Sequence, residues 1–222
     1  MSLKPVKKSD RGKSWMQPRR DSKRTIQPEY HLIITEGTKT EPLYFEALKE
    51  RINARFPNRI HMDIVGKGKS AEFLFNEAVE RVRNNPNGYS HVWLVYDTDD
   101  FPKDQIDNTA FRCKQISTAQ TKYHALWSNQ CIELWFLLHF SYLHSDIDRK
   151  AYAEKLTEHL LRIKKGVYQK NRKDIFEVLL TYVETAIQNA HKLVAENDGK
   201  SPSQSKPGTQ VYELLETLRM YF

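Results

Sequence analysis

Carboxylates stand where two apolar runs stop. Glu36 follows Tyr30-His31-Leu32-Ile33-Ile34-Thr35, and Asp97 and Asp99 follow His91-Val92-Trp93-Leu94-Val95-Tyr96. Each run reads as a buried strand, so the acids fall at two strand ends. In an extended segment Asp97 and Asp99 point to one side and Thr98 to the other. With the two strands as neighbours, these anions converge and repel one another. A divalent cation offsets that charge. Carboxylate and water ligands suit Mg²⁺ or Mn²⁺, which keep positions open for phosphate oxygens. Such an ion activates water and stabilises the attacking and leaving oxygens of a displacement. Glu36, Asp97 and Asp99 are therefore expected as metal ligands and catalytic residues of a phosphodiester-acting enzyme. A bland reading competes, since Asp-rich turns often cap helices and Asp97 or Asp100 could do so. The strand-terminal Glu36-Gly37 tips the balance towards chemistry.

Further candidates surround this core. Glu41 opens a predicted helix, either as a first-turn acid matching the helix dipole or as an accessory ligand. Glu133 lies in the apolar segment Cys131 to Phe140, where an unpaired carboxylate is costly, so it needs a partner: the metal site or a basic residue. His139 is six residues further on, about 600° around a helix, so it does not share a face with Glu133. It reads either as a general acid or base or as a core histidine. Lys39 reads either as a phosphate-contacting or charge-stabilising residue or as a solvated loop lysine. Gly66-Lys67-Gly68-Lys69-Ser70 follows a strand and opens a helix. It fails as a nucleotide-binding P-loop because Asp63 stands where the first glycine belongs. Lys67 and Lys69 can still contact a substrate phosphate. Residues 161–173 carry Arg162, Lys164, Lys165, Lys170, Arg172 and Lys173 around Tyr168, with no acid. They read as a nucleic-acid track or as a solvated helix end.

The elements that must position these groups alternate. Strands are predicted near 30–35, 60–65, 91–96 and 123–127. Helices are predicted over 40–56 (with Thr40 as N-cap), 70–82 and 104–117. The first helix shows an apolar stripe of Leu43, Ala47, Leu48 and Ile52, the second one of Phe73, Leu74, Ala78 and Val79. Such alternation specifies an α/β fold with a parallel sheet flanked by helices. After Asn129 the pattern turns helical, over 131–139, 151–165, 175–194 and 211–221. The expected organisation is a basic arm over 1–29, an α/β domain over 30–128 and a helical region over 129–222 packed on the core.

Bulk properties set limits. The 222 residues carry a net charge of +7, of which +6 belongs to residues 1–29, with nine Lys or Arg against three Asp or Glu. That arm reads as a solubilising tail or as an electrostatic arm for a polyanion. The two cysteines lie far apart, outside any C-x-x-C pair, which argues against a disulfide framework or structural zinc. No apolar run approaches the roughly 20 residues that cross a bilayer. A cytoplasmic protein with no membrane partner is expected.

Several stretches are similar to one family. Ile33-Ile34-Thr35-Glu36-Gly37-Thr38-Lys39-Thr40-Glu41-Pro42-Leu43-Tyr44-Phe45 closely resembles the opening motif of the RloB-like proteins, and Val95 to Asp99 resembles their second. Asn129-Gln130-Cys131-Ile132-Glu133-Leu134-Trp135-Phe136-Leu137-Leu138-His139-Phe140 resembles the third, and Pro207-Gly208-Thr209 with Val211, Leu214 and Leu215 the C-terminal end. These proteins look like members of the wider Toprim group, whose compact α/β fold carries a catalytic Glu on the first strand and a D-x-D on the third. By resemblance Glu36, Asp97 and Asp99 match those acids. The resemblance implies a Mg²⁺- or Mn²⁺-dependent nuclease acting on RNA, tRNA or DNA in antiphage defence, controlled by a defence-system partner, a homo-oligomer or a signal. The rival readings are a non-catalytic nucleic-acid sensor subunit of a defence complex, and a nucleotidyl transferase.

Overall fold

The computed structural model describes residues 27–98 and 101–222. The predicted basic arm, but for its last three residues, and Asp99 lie outside the described residues.

Four parallel strands form one sheet: β1 (Glu29–Thr35), β2 (Ile60–Gly66), β3 (His91–Asp97) and β4 (Lys122–Ser128). Their order is β2-β1-β3-β4. The chain first moves outward from β1 to β2. It then returns past β1 to place β3 on the other side. The direction of winding therefore reverses between β1 and β3, and ligands collect at the carboxyl ends of strands at such a switch point.

Side chains alternate along each strand and supply two cores. On one face Leu32, Ile34, Val92, Leu94 and Tyr96 pack with α2 (Ala71–Asn84) and α3 (Lys103–Ile116). On the other, Ile33, Trp93, Val95 and Leu126 pack with α1 (Thr40–Arg55) and with the helices that follow Asn129. Those are α4 (Glu133–Leu138), α5 (Arg149–Arg162), α6 (Ile175–Leu179), α7 (Val183–Glu196) and α8 (Tyr212–Leu218). One apolar cluster thus runs from the sheet into the C-terminal helices. No helix of the described residues is long and apolar enough to cross a membrane.

Several sequence expectations are corrected. Thr40 does not cap α1; it lies within the helix, and its hydroxyl donates to the Lys170 carbonyl at 2.7 Å. The helix expected over 175–194 breaks into α6 and α7 around a 3₁₀ turn, Leu180–Tyr182. The break lets α6 lie on α1 while α7 lies on α4. In α2, Phe73 is exposed and Phe75 is buried, because the helix turns Ala71, Leu74, Phe75 and Ala78 to the sheet. In α1 the buried face centres on Tyr44 and Phe45 beside Leu48 and Ile52. Ser70 does cap α2, accepting the Phe73 N–H.

The third and C-terminal motifs meet although far apart in sequence. Ser128 bridges Thr209, their hydroxyls lie 2.8 Å apart, and the Asn129 N–H donates to the Gly208 carbonyl at 2.8 Å. This clamp fixes the chain as it leaves β4 and aims Gln130 to Glu133 at the switch point.

Candidate active site

Glu36 continues the β1 ladder by one residue, its N–H donating to the Val95 carbonyl at 2.8 Å. Its carboxylate then accepts the Asp97 N–H at 3.0 Å. On the β2 side, Gly68 N–H donates to the Glu36 carbonyl at 2.7 Å and Lys67 N–H to the Thr35 carbonyl at 3.0 Å. The end of β1 is therefore held from both sides by backbone bonds, a rigid base for a functional group.

Tight turns bring in the next acid. A Cβ on Gly37 would overlap the Glu41 carboxyl, and one on Gly66 would sit 2.7 Å from the Gly37 carbonyl oxygen. Only glycine lets the first turn of α1 fold back so closely. Glu41, 5% exposed, is thereby buried against the turn after β1. Glu133 enters from α4, also buried, and its carboxylate accepts the Tyr168 hydroxyl at 2.8 Å.

A cavity of about 600 Å³ is lined by Glu36, Glu41, Asp97 and Glu133. Lys39, Lys69, Lys170 and Arg149 share its wall. The crowding of acids shows in their protonation. Burial, then Glu41, Glu36 and Glu133, push Asp97 well above the usual carboxylate range, with Arg149 opposing. Glu41 is raised as well, first by burial and then by Glu133, against its backbone hydrogen bonds and Lys170. Burial, then Glu133 and Asp97, drives the Cys131 thiol up, so it is no nucleophile at neutral pH.

The donor chemistry fits a hard divalent cation: all four acids offer oxygen, and a cation would offset the burial and mutual repulsion that raise Asp97. Among the described residues, however, no three His, Cys, Asp or Glu side chains are gathered closely enough to hold a metal ion. Asp99, the third expected ligand, lies outside them.

The structure brings Glu36, Asp97, Glu41, Glu133, Lys39, Lys69 and Lys170 to one cavity. It separates the others. His139, a candidate acid or base, is a core residue away from that cavity. Its Nδ1 hydrogen-bonds to the Trp135 carbonyl at 2.9 Å, and burial pushes its pKa down to about 4. Lys67 turns away to Glu77 at 2.7 Å. Arg172 bends back to the Lys165 carbonyl at 2.6 Å and to Asp174 at 2.6 Å, bracing the α5–α6 loop. Lys164, Lys165 and Lys173 are exposed and do not line the cavity. The 161–173 segment thus meets the site through Lys170, which lines the cavity, and through Tyr168, which bonds Glu133, with exposed bases beyond them.

Two contributors escaped the sequence reading. The Tyr168 hydroxyl, rather than a basic residue, partners Glu133. Arg149 reaches the site from α5. A faint signal for it existed: a base follows the N-cap Asp148, where helix electrostatics favour acids.

Comparison with known proteins bears on the whole arrangement. No curated protein and no solved structure matches the chain. A family model described as RloB-like protein matches residues 31–218, a span that contains both ends of the cavity and the Ser128–Thr209 clamp. The chain therefore belongs to the RloB-like family.

Proposed function

We propose that the chain is a divalent-metal-dependent nuclease of the Toprim type, hydrolysing phosphodiester bonds of nucleic acid in antiphage defence. The observation that carries this reading is the Glu36 carboxylate bonded to the Asp97 N–H at the switch point, facing a cavity whose other walls add two acids and four bases. Acids without bases would suit a structural cation, and bases without acids would suit simple anion binding. Both together suit a reaction on a phosphate with the help of a metal.

Glu36 and Asp97, with Asp99 two residues after Asp97 in sequence, would hold Mg²⁺ or Mn²⁺. The metal, when bound, supplies Lewis acidity to the phosphate and a more acidic water. The chain's own groups do the rest. Lys39, Lys69 and Lys170 draw in and seat the backbone of RNA or DNA. Glu41 and Glu133, buried at the floor, accept and orient protons of water. Tyr168 keeps Glu133 in one orientation through its 2.8 Å hydrogen bond. A defence partner or a second copy of the chain would restrain an activity otherwise toxic to its host.

The test is digestion of total cellular RNA, tRNA and plasmid DNA by the full chain with Mn²⁺, with EDTA, and with Asp97→Ala. Metal-dependent cleavage that disappears in the variant supports the reading. Cleavage that survives in Asp97→Ala and Glu36→Ala at full rate sinks it.

A further inference from the structure

Arg149 stands at an electrostatically awkward place for a helix base. It is the first residue of α5, after the N-cap Asp148, and Lys150 follows; the first turn contains no acid. Bases there oppose the helix dipole. The stability of α5 therefore does not explain the choice.

Gln130 is one of the groups that position Arg149. Gln130 adopts a left-handed backbone conformation, φ 59°, which is costly for a residue with a Cβ. In that conformation its carbonyl accepts an Arg149 Nη2–H at 2.7 Å, while its side-chain amide donates to Asp146 at 2.6 Å. The Ser128–Thr209 clamp fixes the chain just before Gln130. The same Nη2 lies 3.9 Å from Asp97 Oδ2, and 36% of the Arg149 side chain remains exposed. A strained, braced residue thus aims a planar cation at the acid most burdened by its neighbours.

We propose that Arg149 is a catalytic residue of the hydrolysis proposed above, and this inference rests on that reading. Its guanidinium contacts a non-bridging oxygen of the scissile phosphate and stabilises the charge that builds there. A planar fork of donors matches phosphate geometry, which the point charges of Lys39, Lys69 and Lys170 do not. In the step itself the oxygen of water forms a new bond to phosphorus. That water gives up a proton to the carboxylate of Glu133 or Glu41. The bond from phosphorus to the leaving sugar oxygen breaks, and that oxygen keeps the electron pair and takes up a proton. One proton is thus lost by water and one gained by the leaving group. Arg149 stays protonated throughout. The competing role is a charge offset for Asp97, with no substrate contact.

Two readouts on the full chain separate these roles: cleavage rate at saturating Mn²⁺, and the rise in melting temperature that Mn²⁺ produces. Arg149→Ala is expected to lose about 10²–10³-fold in rate, as when one oxyanion donor is removed. Arg149→Lys should lose nearly as much, and added guanidinium ion should restore part of the Arg149→Ala rate. The Mn²⁺-induced stabilisation should persist, since a competing cation has gone. An Arg149→Ala rate within about threefold of wild type at saturating Mn²⁺ would overturn the inference and leave the charge-offset role. So would a rate loss in both variants that comes with lost Mn²⁺ stabilisation and no rescue. A wild-type chain that cleaves nothing overturns the nuclease reading itself, and this role with it.

Discussion

The backbone N–H of Asp97 donates to Oε2 of Glu36 at 3.0 Å, joining the ends of β3 and β1 through a side chain rather than the strand ladder. One oxygen of Glu36 thus has a structural duty, and its charge serves the cavity. The two roles are separable. Glu36→Gln keeps an oxygen acceptor for Asp97 N–H and removes the charge. It should melt within a few degrees of wild type, yet lose at least about 10²-fold in Mn²⁺-dependent cleavage. Glu36→Ala should lose both activity and thermal stability. Equal activity of Glu36→Gln and wild type would remove Glu36 from the chemistry.

Asp97 holds its proton to higher pH in the folded chain than in the unfolded one, where 3.8 is usual. Its contribution to stability is present at acid pH and lost as pH rises through the raised value. In EDTA, Asp97→Asn should therefore melt above wild type at pH 8, with the gap closing as pH falls towards 4. Mn²⁺ should raise the melting temperature of wild type and not of Asp97→Asn. Melting curves across pH, with and without metal, check both signs.

Buried histidines act in the opposite direction. His31 accepts the Trp93 indole N–H at 3.1 Å and lies against Glu29, and burial, then His91 and His124, press its pKa from 6.5 to about 3. The unfolded chain takes up this proton first, so the stability contributed is whole above pH 6.5 and falls away as pH drops below it. His31→Asn should cost about 1–3 kcal/mol at pH 7 and lose less on acidification to pH 5 than wild type does. Urea midpoints at the two pH values decide the matter. The carboxylate contributions are common to both proteins and cancel in the comparison.

Tyr168→Phe removes the donor to Glu133 and leaves the ring against Phe136. A destabilisation of about 1–2 kcal/mol by urea titration is expected. Cleavage should fall mainly in kcat, because a freed Glu133 carboxylate loses its orientation while the phosphate-seating lysines are untouched. A change confined to KM would assign Tyr168 to substrate binding instead.

Gly66→Ala places a methyl 2.7 Å from the Gly37 carbonyl and 2.9 Å from Thr38 Cα. Backbone on both sides cannot yield cheaply, so the melting temperature should drop and activity with it. Gly88→Ala, where a Cβ has open space but φ is 69°, should lower stability through backbone strain alone and leave cleavage unchanged. Melting curves and cleavage rates on the two variants distinguish local packing at the site from strain elsewhere.

The primary sequence by itself determined the sheet, its two faces and the acids at two strand ends. Continuous apolar runs can be satisfied only by burial on both sides, and a carboxylate at the end of such a run has nowhere to lie but the rim. It also flagged Glu133, since an acid among Leu, Trp and Phe must find a partner. What it left undecided was the identity of partners far apart in the chain. Tyr168 meets Glu133 across 35 residues, and Thr40 meets Lys170 across 130. Arg149 reaches Asp97 from α5 with its guanidinium bonded to the carbonyl of Gln130, whose backbone is left-handed, just after a clamp that ties Ser128 to Thr209. Such pairings depend on how helices stack on the sheet, which periodicity does not encode. The same limit let Lys67, Arg172 and His139 look like site residues: type and spacing place a side chain on an element, and only tertiary packing decides which neighbour, Glu77, Asp174 or Trp135, takes it away from the cavity.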